Sequence, residues 1–199
     1  MSQLFLESIK VVNRDAQNIL CHQRRMARTF ERFWPDAAVP SLPDVALSQI
    51  CTTGVCKLRV VYGVSGIVDA RCAPYQLRSI RSLRVVDGGN VDYSYKSADR
   101  ACLDGLASAK NGCDDVIILR DGLVTDTSFS NLAVFDGGAW LTPRRPLLCG
   151  TKRELLLAGG VIIEADLSID DLMRSRCVRL FNAMVEFGEV EVDTSRIFL

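Results

Sequence analysis

Residues 115–141 read DVIILRDGLVTDTSFSNLAVFDGGAWL, and the order of residue types in this stretch sets the fold class. Asp115 to Leu119 and Leu123 to Asp126 are apolar, β-prone runs around Asp121-Gly122, a pair suited to the positive φ of a two-residue hairpin turn. Leu132 to Phe135 and Ala139 to Leu141 repeat the device around Asp136-Gly137-Gly138. Two hairpins in succession predict a β-rich half, and Asp126 falls at the end of a strand, where a carboxylate can be presented.

Outward from there the pattern becomes mixed. Thr151 is expected to cap a helix from Lys152 to Ala158, ended by Gly159-Gly160, with a strand from Val161 to Ala165 behind it. Ser168 opens a short helix, and Val178 to Met184 is strand-like. Upstream, Leu4 to Val12 reads as a strand. His22 to Trp34 reads as a helix, with Met26, Phe30 and Phe33 at i, i+4 and i+7, stopped by Pro35. Ser41 is placed as the cap of a short helix through Ile50, with Pro43 tolerated in its first turn. Lys57 to Tyr62 and Ile67 to Ala73 form a hairpin around Gly63 and Gly66, and Ser79 to Val86 is a further strand. The DGGN sequence at 87–90 breaks the pattern and marks the expected boundary between a small N-terminal α+β lobe, 1–86, and a C-terminal lobe, 87–199.

Composition excludes several function classes. The 199 residues carry 24 basic and 24 acidic side chains, so no global field favours nucleic acid, an anionic membrane or an acidic partner. No apolar run approaches a bilayer span, and Glu7 interrupts what would be the apolar core of a signal peptide, so the sequence reads as cytoplasmic. The eight cysteines include no C-x-x-C, and the one histidine, His22, is remote from the closest pair, Cys51 and Cys56. Neither a zinc site nor a disulfide framework is expected.

The residues that carry chemistry are scattered. Lys96, in YSYKSADR at 93–100, precedes a helix-like segment, Ser97 to Lys110, and is either a solvated charge or an amine that captures a carbonyl cofactor. Pyridoxal phosphate needs such a lysine, an acid for the pyridine nitrogen, donors for the phosphate and a cation for the substrate carboxylate. Asp126 supplies the acid. Gly150, Thr151 and Lys152 in CGTKRE open a helix, where backbone N–H groups and the dipole favour an anion. Arg25 adds a guanidinium for the same phosphate, although Arg24 and Arg28 beside it also fit a solvated helix face.

Taken in order, HQRRM at 22–26, YKSADR at 95–100, LVTDTSFSNL at 123–132, CGTKRE at 149–154 and FNAM at 181–184 resemble the class IV pyridoxal-phosphate aminotransferases. That family includes branched-chain and D-amino-acid aminotransferases and aminodeoxychorismate lyase. The resemblance implies an α/β, two-lobed D-amino-acid aminotransferase-like fold, its C-terminal lobe built on a mixed, barrel-like sheet. It also implies pyridoxal 5'-phosphate as cofactor, and a homodimer acting on an amino acid and a 2-oxo acid. On the family's motifs Lys96 is the catalytic Schiff-base lysine, with Asp99 where the family has asparagine. Arg25 is the phosphate arginine of H-x-x-R, and Asp126 is the acid at the pyridine nitrogen, where the family usually has glutamate. Asn131, Gly150, Thr151, Lys152, Asn182 and Ala183 complete the cofactor contacts. Arg59 aligns with an arginine that binds substrate carboxylate in the branched-chain enzymes, and Lys57 points to the same face two residues earlier. The N-terminal half is short, its first strand in LFLESIKV at 4–11 standing where the family usually has a preceding hairpin and a glycine-rich lead-in.

The resemblance implies that Lys96 moves the substrate α-proton while Asp126 keeps the ring nitrogen protonated. Amino-group transfer to a 2-oxo acid is the expected reaction. FNAM, closer to the lyase's C-N-A-[LM] than to S-G-T-A, points to β-elimination giving 4-aminobenzoate and pyruvate. A non-catalytic pyridoxal-phosphate-binding protein is the third alternative.

Overall fold

The computed structural model describes residues 3–48 and 54–199. The chain divides into two compact units, the first comprising residues 1–77 with 95–99, the second 78–94 with 100–199.

The first unit is a four-stranded sheet with helices on one face. β1 (Phe5–Val12) pairs antiparallel with the two-residue β2 (Asp15–Ala16) and along its full length with β3 (Val55–Gly63). β4 (Gly66–Pro74) closes a hairpin with β3, giving the order β2-β1-β3-β4. Helix α1 (Ile19–Phe33) lies over the face that carries Phe5, Ile9, Val11, Leu58, Val60 and Tyr62, and inserts Met26 and Phe30 among them. Met26 and Phe30 are the pair that helical spacing selects, four apart on one stripe. α1 starts earlier than expected, behind Asn18 in the left-handed conformation, φ 55°. Helix α2 (Leu42–Ser48) begins behind Ser41 as expected, its Oγ accepting from Asp44 N at 3.4 Å. Gln49 and Ile50, the expected end of that helix, lie outside the described residues, as does Cys51.

The second unit holds two mixed sheets. β5 (Leu83–Asp87), shorter than the expected strand, runs parallel to β6 (Asp115–Arg120), with α3 (Ala101–Ser108) between them in sequence. β6 turns antiparallel into β7 (Leu123–Thr127) through Asp121 and Gly122 at φ 54° and 74°, the conformation the Asp-Gly pair predicts. β8 (Asn131–Phe135) and β9 (Trp140–Pro143) form the second hairpin. Helix α4 (Thr151–Ala158) follows, and β10 (Ile163–Ala165) returns parallel to β9. Helix α5 (Ile169–Arg174) is capped reciprocally by Ser168 and Asp171. β11 (Cys177–Asn182) and β12 (Val185–Asp193) complete the order β10-β9-β8-β11-β12, and β13 (Ile197–Phe198) joins the other sheet as β13-β5-β6-β7. Neither β12 nor β13 was expected, although Val190 and Val192 alternate with acids along β12.

Among the described residues six cysteines are free and four of these are buried. Cys72 is disulfide-bonded, a departure from the expectation. No helix among the described residues is long and apolar enough to cross a membrane.

Within DGGN, Gly88 is packed rather than loose: a Cβ there would lie 2.6 Å from Ile118 Cγ2 and 2.8 Å from the Leu119 carbonyl. Gly105, inside α3, faces open space. We therefore expect Gly88→Ala to cost about 1–3 kcal/mol in urea unfolding by overpacking β6. Gly105→Ala should gain about 0.5–1 kcal/mol from helix propensity.

Candidate active site

In the first unit His22, Arg25 and Lys96 gather around a carboxylate that the motifs do not include. Glu7 sits on β1 between Phe5 and Ile9 and is wholly buried on the α1 face. His22 Nδ1 donates to its Oε2 at 2.6 Å. Arg25 donates through Nε to Oε1 at 2.9 Å and through Nη2 to Oε2. His22 and Arg25 are three apart, so one turn of α1 directs both at the same acid. The spacing of the H-x-x-R motif is thus the spacing of two donors to Glu7. Burial pushes the Glu7 carboxyl up, but the Arg25 charge and the hydrogen bonds from His22 and Arg25 outweigh it, holding it at about 2. Burial lowers the pKa of His22, aided by the charges of Arg25 and Lys96, so the ring is neutral and its Nδ1 carries the shared proton.

Lys96 belongs to the same cluster. The YSYKSADR stretch is not a strand. Its backbone is docked on β1, with Leu6 N donating to Lys96 O at 3.0 Å, Ala98 N to Leu4 O at 2.9 Å, and a bridge between Phe5 and Ser97. This seat, rather than a strand-to-helix junction, brings the half-buried Lys96 close enough to His22 to act on its ring. Lys57 and Arg59 share one face of β3, as alternation requires, but it is the face opposite α1: Arg59 pairs across with Ser8, while Glu7 pairs with Val60. Arg25 and Arg59 therefore lie on opposite sides of this sheet.

In the second unit Asp126 is 4% exposed on β7. Its Oδ1 accepts from Asn131 Nδ2 at 2.7 Å and its Oδ2 from Leu148 N at 2.8 Å. Asn131 also donates to Leu148 O at 2.9 Å, which uses both amide donors. Burial pushes Asp126 up to about 6 against these neutral donors and the Arg153 charge. Gly150 packs against the same amide: a Cβ there would fall 2.1 Å from Asn131 Oδ1. Only glycine fits this approach.

Gly150, not Thr151, is the N-cap of α4, and it offers no side chain to the first-turn amides. Thr151 is buried within that turn. The Lys152 ammonium is paired with Glu186, and Arg153 Nη2 donates to Pro143 O at 2.8 Å and to Glu164 at 2.7 Å. Lys152 can thus reach an anion at this helix end by its backbone while its side chain is engaged elsewhere. Asn182 donates to Phe129 O and Ser130 Oγ and accepts from Met184 N and Val185 N. All four of its hydrogen bonds are made, so its side chain fastens the 127–131 loop to the turn after β11. Ala183 lies half-buried in that turn. Arg100, through Nη2 to Ser128 O at 2.7 Å, fixes the loop from its other side.

The family model described as amino-transferase class IV matches residues 68–191. The chain belongs to the class IV aminotransferase family. An uncharacterized protein of Haemophilus influenzae is 31% identical over 181 residues, covering 89% of this chain and 96% of that one. The crystal structure described as a putative 4-amino-4-deoxychorismate lyase from Haemophilus somnus shares 33% identity and a TM-score of 0.84, over 93% of this chain and 98% of its own. A hypothetical aminotransferase from Mycobacterium tuberculosis, in a form with alpha-ketoglutarate and PMP bound, has the same fold at 20% identity, TM-score 0.80, over 98% and 82% of the two chains. The class IV family is pyridoxal-phosphate-dependent.

The Glu7 signal was present in the sequence: a lone acid alternates with Phe5, Ile9 and Val11 on an otherwise apolar strand face. Glu7→Gln removes the charge that neutralises buried Arg25 and should cost about 3–5 kcal/mol at pH 7. Because the Glu7 pKa is depressed, its contribution is complete above pH 4.5 and fades as pH falls toward 2, so the stability gap between wild type and variant should narrow over that range in denaturant titrations. Gly150→Ala must displace Asn131 from Asp126. A stability loss of about 1–3 kcal/mol is expected, and it should disappear on an Asn131→Gly background, where the obstructing amide is gone.

Proposed function

We propose that the chain is a pyridoxal-phosphate-dependent enzyme in which Lys96 is the amine that receives the cofactor aldehyde, and that its reaction is of the aminodeoxychorismate lyase kind. The observation that carries the cofactor reading is Asp126. A fully buried carboxylate held at about 6 is incompletely neutralised by its own neighbours, and a protonated ring nitrogen is a cation that would complete it. The helix end behind Gly150 suits a phosphate, since a glycine at the N-cap brings no side chain of its own to that position. Arg25 would contribute positive charge while Glu7 holds its Nε–Nη2 edge.

When bound, the cofactor supplies a carbonyl that condenses with amines and a ring that delocalises an electron pair. Lys96 takes the proton from the substrate carbon that bears the amino group. Asp126 keeps a proton on the ring nitrogen. Arg59 and Lys57 orient the substrate through its carboxylate. In the lyase reaction the electron pair freed by proton removal expels the neighbouring substituent, giving 4-aminobenzoate and pyruvate without a second substrate. FNAM at 181–184 and the 33% identical structure described as a putative lyase support that outcome.

Amino-group transfer is the second reading, favoured by the description of the matching family model. It demands a 2-oxo acid. Incubation with aminodeoxychorismate alone, followed by product analysis, should yield 4-aminobenzoate and pyruvate. Product formed only from an amino acid with a 2-oxo acid would transfer the assignment to the second reading.

Borohydride reduction of the protein with pyridoxal phosphate, followed by peptide mapping, should place the pyridoxyl group on Lys96. A label on Lys57, Lys110 or Lys152 instead would overturn the cofactor reading. Asp126→Asn should still be labelled at Lys96 while losing roughly 100- to 1,000-fold in turnover, because it removes a charge that acts only as the reaction proceeds.

A further inference from the structure

Around Glu7 there are more bases than one acid can serve. Among the described residues Glu7 is the one fully buried acid of the first unit. His22 and Arg25 are bonded to it from α1, and the charge of Lys96 reaches the His22 ring from the segment seated on β1. That seat puts Lys96 beside Leu6, the residue before Glu7, with Leu6 N donating to Lys96 O at 3.0 Å. Tyr95 packs the same segment against its neighbours, its ring centre 4.9 Å from that of Phe33 on α1 and 6.4 Å from that of Phe5 on β1. From β3 comes Tyr62, whose phenol donates to Thr29 at 3.2 Å and keeps its proton because burial and the Glu7 charge raise its pKa. β4 and α2 bring no titrating group to this core: Ala70 and the disulfide-bonded Cys72 from the one, Leu42 and Ala46 from the other. Glu7 balances a single positive charge, and Arg25 carries one permanently. The other two bases therefore ionise against each other: a charged Lys96 disfavours a charged ring, and a charged ring would disfavour a charged Lys96. With Nδ1 of the neutral ring donating to Glu7, Nε2 is its basic nitrogen.

We propose that Lys96 and His22 hold one proton between them, with Glu7 as their common counter-ion, and that His22 thereby supplies Lys96 in its amine form at neutral pH. An amine attacks a carbonyl only after it has lost its proton. The proton moves from Lys96 Nζ to His22 Nε2, leaving a neutral amine and an imidazolium, and the total charge of the cluster is unchanged. The imidazolium keeps its bond to Glu7, now strengthened by its own charge. In a setting with little water, passing the charge to a neighbour already paired with an acid is easier than creating it unpaired. His22 acts through Lys96 and not on a substrate, so it is a positioning residue, as is Glu7 behind it. That Lys96 meets a cofactor aldehyde rests on the enzyme reading above. The divided proton does not.

His22 is the one histidine of the chain, so NMR of a histidine-labelled sample follows a single ring. Titrated without cofactor, that ring should take up its proton at a pH about one unit higher or more in Lys96→Met than in the wild type. Lys96→Arg, which restores a fixed charge, should stay close to the wild type. Equal midpoints in wild type and Lys96→Met, a ring still neutral at pH 5 in both, or a Lys96→Arg ring that follows Lys96→Met would overturn the proposal. The second measurement reads the amine. His22→Asn keeps an N–H donor for Glu7 in the place of Nδ1 but cannot accept a proton. Reductive methylation of the full chain by formaldehyde and cyanoborohydride, followed by peptide mapping, should modify Lys96 about three- to tenfold more slowly in this variant than in the wild type at pH 7. At pH 9.5, where solvent removes the proton instead, the two rates should agree. Equal rates at pH 7, or a deficit that persists at pH 9.5 as a merely structural role would give, would overturn it. If pyridoxal phosphate and borohydride label a lysine other than Lys96 the enzyme reading fails, yet both of these results stand.

Discussion

A carboxylate without solvent must be neutralised where it lies, and Glu7 imposes that condition on the whole first unit. Two donors three residues apart on α1 meet it, which fixes the rotation of the helix over the sheet as firmly as Met26 and Phe30 do. The strand that carries Glu7 is also the one on which residues 96–98 are seated. A lysine from a remote part of the sequence is therefore located by the same strand that places the arginine. Packing alone would tolerate small slips of α1, but a buried ion pair with two directional donors does not.

The second unit treats its central acid in the opposite manner. Asp126 is surrounded by an amide and backbone donors, and its affinity for a proton is raised, whereas that of Glu7 is depressed. Environments that push two carboxyls apart in this way assign them different work. Glu7 is a permanent anion with its partners built in. Asp126 is held in place by Asn131, which is itself held by the close approach of Gly150, and its neutralisation is left incomplete.

Local chemistry made some of this legible. Asp121-Gly122 determined its turn because two adjacent residues contain the whole conformational requirement, and Met26 with Phe30 declared the buried stripe of α1. Readings failed where the meaning of a residue lies across the fold. The tyrosines around Ser94 suggested a strand, but the segment docks on the edge of β1 beyond the reach of β2. Thr151 looked like a cap, yet Gly150 takes that place because Asn131 leaves no space for a side chain. Asn182, which its motif places among the cofactor contacts, uses its side chain to fasten the 127–131 loop, a bond pattern that no spacing announces. Glu7 could be recognised as out of pattern, but not that its partners would come from the motif already in view.

The pairing of β13 with β5 gives the chain an order of assembly. Every residue of the first unit has been made once Asp99 leaves the ribosome, whereas the sheet built on β5 and β6 waits for Ile197 and Phe198 to reach Leu83 and Arg84. Long-range parallel pairing of this kind is slow to form. During synthesis the first unit can thus fold as a finished body, with Lys96 already anchored, while β5 and β6 remain without their last neighbour. A nascent chain would pass through a stage in which Lys96 is seated on β1 while the strand that completes the other sheet has yet to arrive.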